Sequence, residues 1–254
     1  MQISGITAVV TGAASGLGAA TALALSQGGA SVVGLDLDSA VETHRATARE
    51  GVRLVAADVT SEEQVLAALA SIGETDPPLR LVVNCAGIAP ARRILSSKGV
   101  HELDLFRRTI EINLLGTFNV LCLAADVISK TQPDDDGQRG LIVNTASVAA
   151  YEGQIGQIAY SASKGAVVGM TLPAARDLAR FGIRVNTIAP GIVDTPLLAA
   201  LGPEVNASLA AGVPFPPRLA RPAEYAQLVL MLAEHDYLNG ETIRMDGALR
   251  MAPQ

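Results

Sequence analysis

The sequence predicts a single α/β domain of the Rossmann-like kind, a doubly wound, parallel, seven-stranded sheet with helices on both faces. Three observations predict it. Short β-branched runs alternate with helix-length segments along all 254 residues, as repeated βαβ units require. Several runs, Leu81-Val82-Val83 and Leu141-Ile142-Val143 among them, are apolar without alternation, which suits strands covered on both faces. The turn Thr11-Gly12-Ala13-Ala14-Ser15-Gly16-Leu17-Gly18 joins the first run to an alanine-rich helical stretch.

In chain order the strands are expected at Ile6–Thr11, Ser31–Leu35, Val52–Ala57, Leu79–Asn84, Gly140–Ala146, Ile183–Ala189 and Glu241–Met245. Pro133 to Gly137 reads as an exposed acidic turn before the fifth of them. Thr195–Arg221 holds five prolines and mixed helical patterns; it is long for a connection and reads as a substrate lid. No repeat or break in composition marks a second domain, so residues 1–254 are expected to form one.

Composition narrows the function classes. The chain is 49% hydrophobic and 17% charged with no Trp, so its core must come from Ala, Val, Leu and Ile. A net charge of −6 would repel a phosphate backbone, which argues against nucleic acid as a partner. His44, His101 and His235 lack ligand spacing and no metal site is expected. Cys85 and Cys122 read as buried small hydrophobes rather than a disulfide. No uninterrupted apolar run approaches the ~20 residues of a bilayer span, so no membrane partner and a cytoplasmic location are expected.

Glycines at Gly12, Gly16 and Gly18 allow a sharp turn and close approach to a pyrophosphate, which free N–H groups and the helix dipole would stabilise. Asp36 closes the second strand, about 20 residues on, where a carboxylate meets the adenosine ribose in this architecture. No nearby cation would offset a 2′-phosphate there, so NAD is expected over NADP. Tyr160 and Lys164 stand four residues apart in a helical stretch and share one face. A phenol has a pKa of about 10 and a neighbouring ammonium favours its ionised form, so Lys164 is expected to lower it. Ser147 follows a strand at the carboxyl edge, where open parallel sheets bind ligands.

Thr11–Gly18, Asn84-Cys85-Ala86-Gly87, Asn113, Ser147 and Tyr160-Ser161-Ala162-Ser163-Lys164 match, in order, the motifs of the short-chain dehydrogenases/reductases, and the chain resembles that family nearly end to end. The resemblance implies Tyr160 as acid/base, Lys164 on the nicotinamide ribose, Ser147 orienting the substrate oxygen and Asn113 anchoring a proton-relay water. It also implies cofactor contacts at Ser15, Leu17, Asp58, Val59, Asn84, Ala86, Gly87, Pro190, Gly191, Ile192, Val193 and Thr195. Asn144 to Gln157 and Val213-Pro214-Phe215-Pro216 look like the type II 3-hydroxyacyl-CoA dehydrogenases, also known as type 10 17β-hydroxysteroid dehydrogenases. That implies NAD-dependent oxidation of short or branched 3-hydroxyacyl-CoA in fatty-acid or isoleucine breakdown, with Gln154 and Gln157 near the thioester. Arg92, Arg93, Lys98 and Arg218 are basic candidates for coenzyme A. The competing readings are an NADPH-dependent reductase of 3-oxoacyl carrier-protein or steroid substrates, and a non-catalytic NAD-binding scaffold. Small residues at Ala162, Ser163, Gly165, Ala166 and Gly169 predict close helix packing between subunits, and the family resemblance implies a homotetramer.

Overall fold

The computed structural model describes residues 1–44, 51–199 and 202–253. Strands β1 (Thr7–Thr11), β2 (Ser31–Asp36), β3 (Val52–Ala56), β4 (Leu79–Asn84), β7 (Gly140–Thr145), β8 (Ile183–Pro190) and β9 (Thr242–Met245) form one sheet in the order β3-β2-β1-β4-β7-β8-β9. Every neighbouring pair is parallel. The chain winds outward from β1 to β3, returns beside β1 as β4, and winds outward again to β9. The direction of winding therefore reverses between β1 and β4, which opens a crevice at their carboxyl ends.

Alternate residues of the same strands feed two cores. Val9, Val33, Ile142 and Val185 pack with Val65, Val120, Ala124 and Ile128 on one face, from α3 (Glu62–Ala70) and α5 (Thr117–Ser129). Ala8, Val10, Leu81, Leu141 and Val143 pack on the other with Leu25, Tyr225, Val229 and Leu232, from α1 (Gly16–Gln27) and α9 (Pro222–Glu234). This two-sided burial is why the central strands carry no polar alternation. The remaining helices are α2 (Asp38–His44), α4 (Leu103–Ile110), α6 (Ile158–Ala179), α7 (Pro196–Ala199) and α8 (Pro203–Ala211).

All seven expected strands form, with ends shifted by a residue or so. β2 reaches Asp36 because Ala57 N–H donates to the Asp36 carbonyl at 2.8 Å. The acidic turn is exposed and is closed by Asp134, whose carboxylate accepts from the amides of Asp136 and Gln138. The lid segment contains α7 and α8, and it is pinned at both ends: Asp194 N–H donates to Ala220 O, and Ala220 N–H to Ile192 O. An antiparallel hairpin of β5 (Leu95–Ser96) and β6 (Gly99–Val100) was not foreseen; two residues per strand are too few for a periodic signal.

Leu103–Ser129 runs as one helical rod, apolar and long enough by composition to cross a membrane, with mean hydropathy 1.6 in its most apolar window. Its inner face packs into the sheet, as core helices do. Cys122 corrects the expectation of a buried thiol, because it lies exposed on α5; the apolar stretch around it covers both helix faces, so composition could not orient it.

Leu141 is fully buried in the central strand β7. Its replacement by alanine is expected to cost about 2–5 kcal/mol of folding stability, measured by urea denaturation.

Candidate active site

The glycine turn lies in the crevice between β1 and β4. Gly12 and Gly16 adopt φ of +66° and +53°, which favours glycine. A Cβ at Gly12 would lie 3.0 Å from the Ala86 amide nitrogen, and one at Gly18 would collide with the Gly12 carbonyl. Thr11 sews the two arms together, its hydroxyl accepting from the amides of Cys85 at 3.0 Å and Ala86 at 3.1 Å. Helix α1 then starts with no acidic residue in its first turn and no side-chain cap from Ser15, so its leading amides, including that of Leu17, are available to an anion.

Asp36 braces this turn from the next strand. Its carboxylate accepts from the amides of Ala14 and Leu37, each at 2.9 Å. Beyond β3, Asp58 accepts from the amide and hydroxyl of Thr60, and the carbonyl of buried Val59 accepts from Asn119. On the far side, Pro190 ends β8, Gly191 N–H donates to Met245 O at 2.9 Å, and Val193 bridges to Ala220. Thr195 closes over the turn: a Cβ at Gly16 would lie 3.5 Å from its methyl. Close backbone approach, uncapped amides and an acceptor at the strand end fit a dinucleotide.

Asn113, Ser147, Tyr160 and Lys164 meet beside the turn. Lys164, 5% exposed on α6, donates from Nζ to the Thr145 carbonyl at 2.7 Å and lies 5.9 Å from the centre of the Tyr160 ring. Ser147 caps the short 3₁₀ turn Val148–Ala150, its Oγ accepting from Ala149 N–H at 3.1 Å, and its hydroxyl is near enough to the Tyr160 phenol to favour the ionised form. Asn113 is fully buried in the π-helical turn Glu111–Gly116 between α4 and α5. Its Oδ1 accepts from Ile88 N–H at 2.8 Å, and its Nδ2 donates to Ile88 O at 2.9 Å and Ser163 Oγ at 3.0 Å. Ser163 in turn donates to the Tyr160 carbonyl at 2.7 Å. A Cβ at Gly87 would lie 3.0 Å from Asn113 Oδ1 and 3.6 Å from Lys164 Nζ, so this glycine leaves room where the two heads converge.

A family profile described as enoyl-(acyl carrier protein) reductase matches residues 12–249. The chain belongs to the short-chain dehydrogenase/reductase family. Proteins named 3-hydroxyacyl-CoA dehydrogenase type-2 from Rattus norvegicus and Homo sapiens are 54% and 53% identical to it, each over 99% of this chain and 98% of the relative. A solved 3-hydroxyacyl-CoA dehydrogenase type-2 from Mycobacterium avium superposes with a TM-score of 0.92 at 41% identity, covering 100% of both chains. A 3-oxoacyl-[acyl-carrier-protein] reductase from Thermotoga maritima is 34% identical over 98% of this chain and 99% of its own. The protein is therefore an oxidoreductase of this family, whose members use a nicotinamide cofactor.

Electrostatics correct one expectation for this family member. Burial raises the Tyr160 pKa above 10, and the Ser147 hydrogen bond offsets that only in part. Lys164 does not lower it in the protein alone. The reason lies in the lysine's own surroundings: burial pulls its pKa down to about 8, against a weaker opposing pull from Cys85, and its ammonium is directed to the Thr145 carbonyl. Asn84 joins this layer by donating from Nδ2 to Asn144 Oδ1 at 2.9 Å.

A cleft of about 580 Å³ is lined by Arg92, Arg93, Leu95, Tyr151, Gln154 and Ile155, the last three from the stretch between Ser147 and Tyr160. Gln154 donates from Nε2 to Ala252 O at 3.0 Å, and Gln157 Oε1 accepts from Gln154 N–H at 2.9 Å, so both amides are engaged within the protein. Arg92 forks onto Glu102 and Arg218 onto Glu224. The contacts of Thr145, Ser163 and Ile88 with Lys164, Asn113 and Tyr160 were not anticipated from the sequence. Ser163 at three residues after Tyr160 was the only local signal, and its burial corrects its expected place on the subunit-facing side of the helix.

The buried lysine has a measurable signature. Its folded pKa of about 8 lies below the ordinary 10.5, so between these values the unfolded chain binds the extra proton and stability rises with pH. Relative to Lys164→Met, the wild type is expected to gain about 2 kcal/mol in urea denaturation between pH 7 and pH 9.5. A flat difference would refute the shift.

Proposed function

We propose that this protein is an NAD-dependent 3-hydroxyacyl-CoA dehydrogenase that oxidises the 3-hydroxyl of short or branched (S)-3-hydroxyacyl-CoA to the 3-oxo thioester. The observation that carries the reading is the meeting of Ser147, Tyr160 and Lys164 at the rim of the glycine-turn crevice. Ser147 orients the alcohol oxygen, and Tyr160, in reach of the same oxygen, removes its proton. An oxidised nicotinamide, held at the glycine turn, would supply the hydride acceptor. Lys164 is the residue that would hold the ribose, which requires its ammonium to turn from or share the Thr145 carbonyl. An ammonium at Lys164 released from that carbonyl would favour the ionised phenol against the effect of burial.

Asp36 supports NAD over NADP: its carboxylate stands at the end of β2 beside the turn, where a 2′-phosphate would meet like charge. This observation disfavours the NADPH-dependent reductase, despite the similarity to a carrier-protein reductase. A non-catalytic scaffold is disfavoured by the complete Ser-Tyr-Lys set. Arg93 and Lys98, which form no ion pair among the described residues, are the cations left for the coenzyme A phosphates. The assembly we propose is a homotetramer. Leu115, Phe118 and Cys122 form an exposed stripe on the α5 rod, and Leu172 is exposed on α6, apolar surface that a second copy would cover.

Tyr160→Phe is expected to lower kcat with 3-hydroxybutyryl-CoA by about 10²–10⁴-fold while leaving NADH binding, read by fluorescence, unchanged. Full turnover in that variant sinks the mechanism, and faster wild-type reaction with NADP than with NAD sinks the cofactor assignment. Light scattering is expected to give four times the chain mass, and Phe118→Asp to reduce it; a monomeric wild type refutes the assembly.

A further inference from the structure

An ion cluster at the carboxyl edge of β9 has no part in the chemistry described above. Arg244 forks onto Glu152, Nη1 to Oε1 and Nη2 to Oε2, both at 2.9 Å. Its Nε donates to Asp246 Oδ2 at 2.7 Å, Nη2 also donates to the Leu249 carbonyl at 3.0 Å, and the guanidinium stacks 5.2 Å over the Tyr151 ring. Arg250 adds Asp246 at 3.1 Å and Glu152 at 3.4 Å.

The two segments it joins are informative. Glu152 lies in the stretch Tyr151–Gln157, which has neither strand nor helix and links the Ser147 turn to the start of the Tyr160 helix. The C-terminal tail lies along this stretch, with Ile155 N–H donating to Pro253 O at 2.9 Å and Gln154 Nε2 to Ala252 O. Tyr151, Gln154 and Ile155 line a cleft together with Ala149 and Ser161, which lie two residues after Ser147 and one after Tyr160. A segment without regular structure takes its position from such side-chain and tail restraints. A two-pronged arginine–carboxylate pair fixes direction as well as distance.

We propose that Arg244 is a positioning residue that, through Glu152 and the C-terminal tail, holds the Tyr151–Gln157 loop in the substrate-accepting position. The proposal rests on the dehydrogenase reading for its kinetic consequence, but not for the loop restraint itself. The clamp acts on the stretch that follows Ser147, and among the described residues the ion-pair partners of Glu152 are Arg244 and Arg250.

The test compares wild type with Glu152→Gln, Arg244→Lys and a chain ending at Leu249. Glu152→Gln is expected to raise KM for 3-hydroxybutyryl-CoA by about 5- to 20-fold, with kcat within about threefold and KM for NAD unchanged. Arg244→Lys, which keeps the charge but loses the fork, is expected to fall between, and the shortened chain to resemble Glu152→Gln. Hydrogen exchange in the peptide spanning 151–157 is expected to quicken in Glu152→Gln and in the shortened chain. Unchanged exchange overturns the proposal. So does faster exchange with acyl KM unaltered, or an equal rise in both KM values, which marks general loosening. If the wild type turns over no 3-hydroxyacyl-CoA, the functional reading fails and the exchange measurement alone decides the clamp.

Discussion

A cation carried into the interior at the end of a parallel strand constrains this site more than any other contact. Lys164 is almost fully buried, and an ammonium there is costly unless something accepts from it. The acceptor is the carbonyl of Thr145, the last residue of β7, which is free at the carboxyl edge because the ladder with β4 ends one residue earlier, at Asn144. The same threonine is held from other directions: its hydroxyl donates to Asn84 O at 2.5 Å and pairs with the phenol of fully buried Tyr225 at 2.7 Å. A residue on α9, on one face of the sheet, thus helps fix the point to which a lysine on α6 is tethered. The low pKa of Lys164 follows from the same burial, since desolvation exceeds what one carbonyl restores.

The glycines serve that arrangement by letting backbones approach where side chains would intervene. Gly12 lets the first turn lie against Ala86, Gly18 lets α1 start close over that turn, and Gly87 leaves space between Asn113 and Lys164. The first two shape the turn where the proposed dinucleotide would lie; the third lies beside the proposed proton-handling residues. Because Thr11 ties β1 to the Cys85 and Ala86 amides, these two sides form one rigid unit across the crevice rather than two independent lobes.

Much of this was legible in the residues. Strand positions followed from apolar runs, because parallel strands buried on both faces leave a clear pattern; β2 and β8 run one residue further than expected, and β1, β3, β7 and β9 are one residue shorter. Tyr160, Lys164 and Ser147 were legible because helical spacing and a strand-edge location each carry a geometric consequence. Asn113 was placed in a helix, but its π-helical turn was not visible, since one extra residue per turn leaves no compositional mark. The exposed Cys122 and the buried Ser163 were misjudged for a related reason: apolar and small residues surround both, and orientation about a helix axis then depends on the tertiary partner. The sense of the tyrosine shift was missed because burial of the phenol, which raises its pKa, is a property of the fold and not of the spacing. The role of Asp36 toward a cofactor remains a proposal, but its place at the strand end, bonded to Ala14, is where the spacing put it.

Adjacent strands at the end of the sheet show how location within one architecture separates stability from function. Arg184 lies near the amino end of β8, with its side chain 8% exposed. It donates to the carbonyls of Leu232, Ala233 and Leu238 and to Gln138, satisfying acceptors at the C-terminus of α9 that no helical amide reaches. Arg244 occupies the opposite, carboxyl edge on β9, and its partners are carboxylates on a loop and a tail. The first arrangement saturates buried backbone acceptors, and its loss would leave several of them unpaired, so it belongs to the folding energy. The second ties a loop and the C-terminal tail to the sheet through a two-pronged, networked ion cluster, which fixes direction as well as distance. Its partners lie on the stretch between Ser147 and Tyr160 and on the tail, so what it sets is the geometry of the ligand-facing edge. That asymmetry follows from the parallel sheet itself, which gathers its ligand-facing loops at one edge and leaves the other to close the fold.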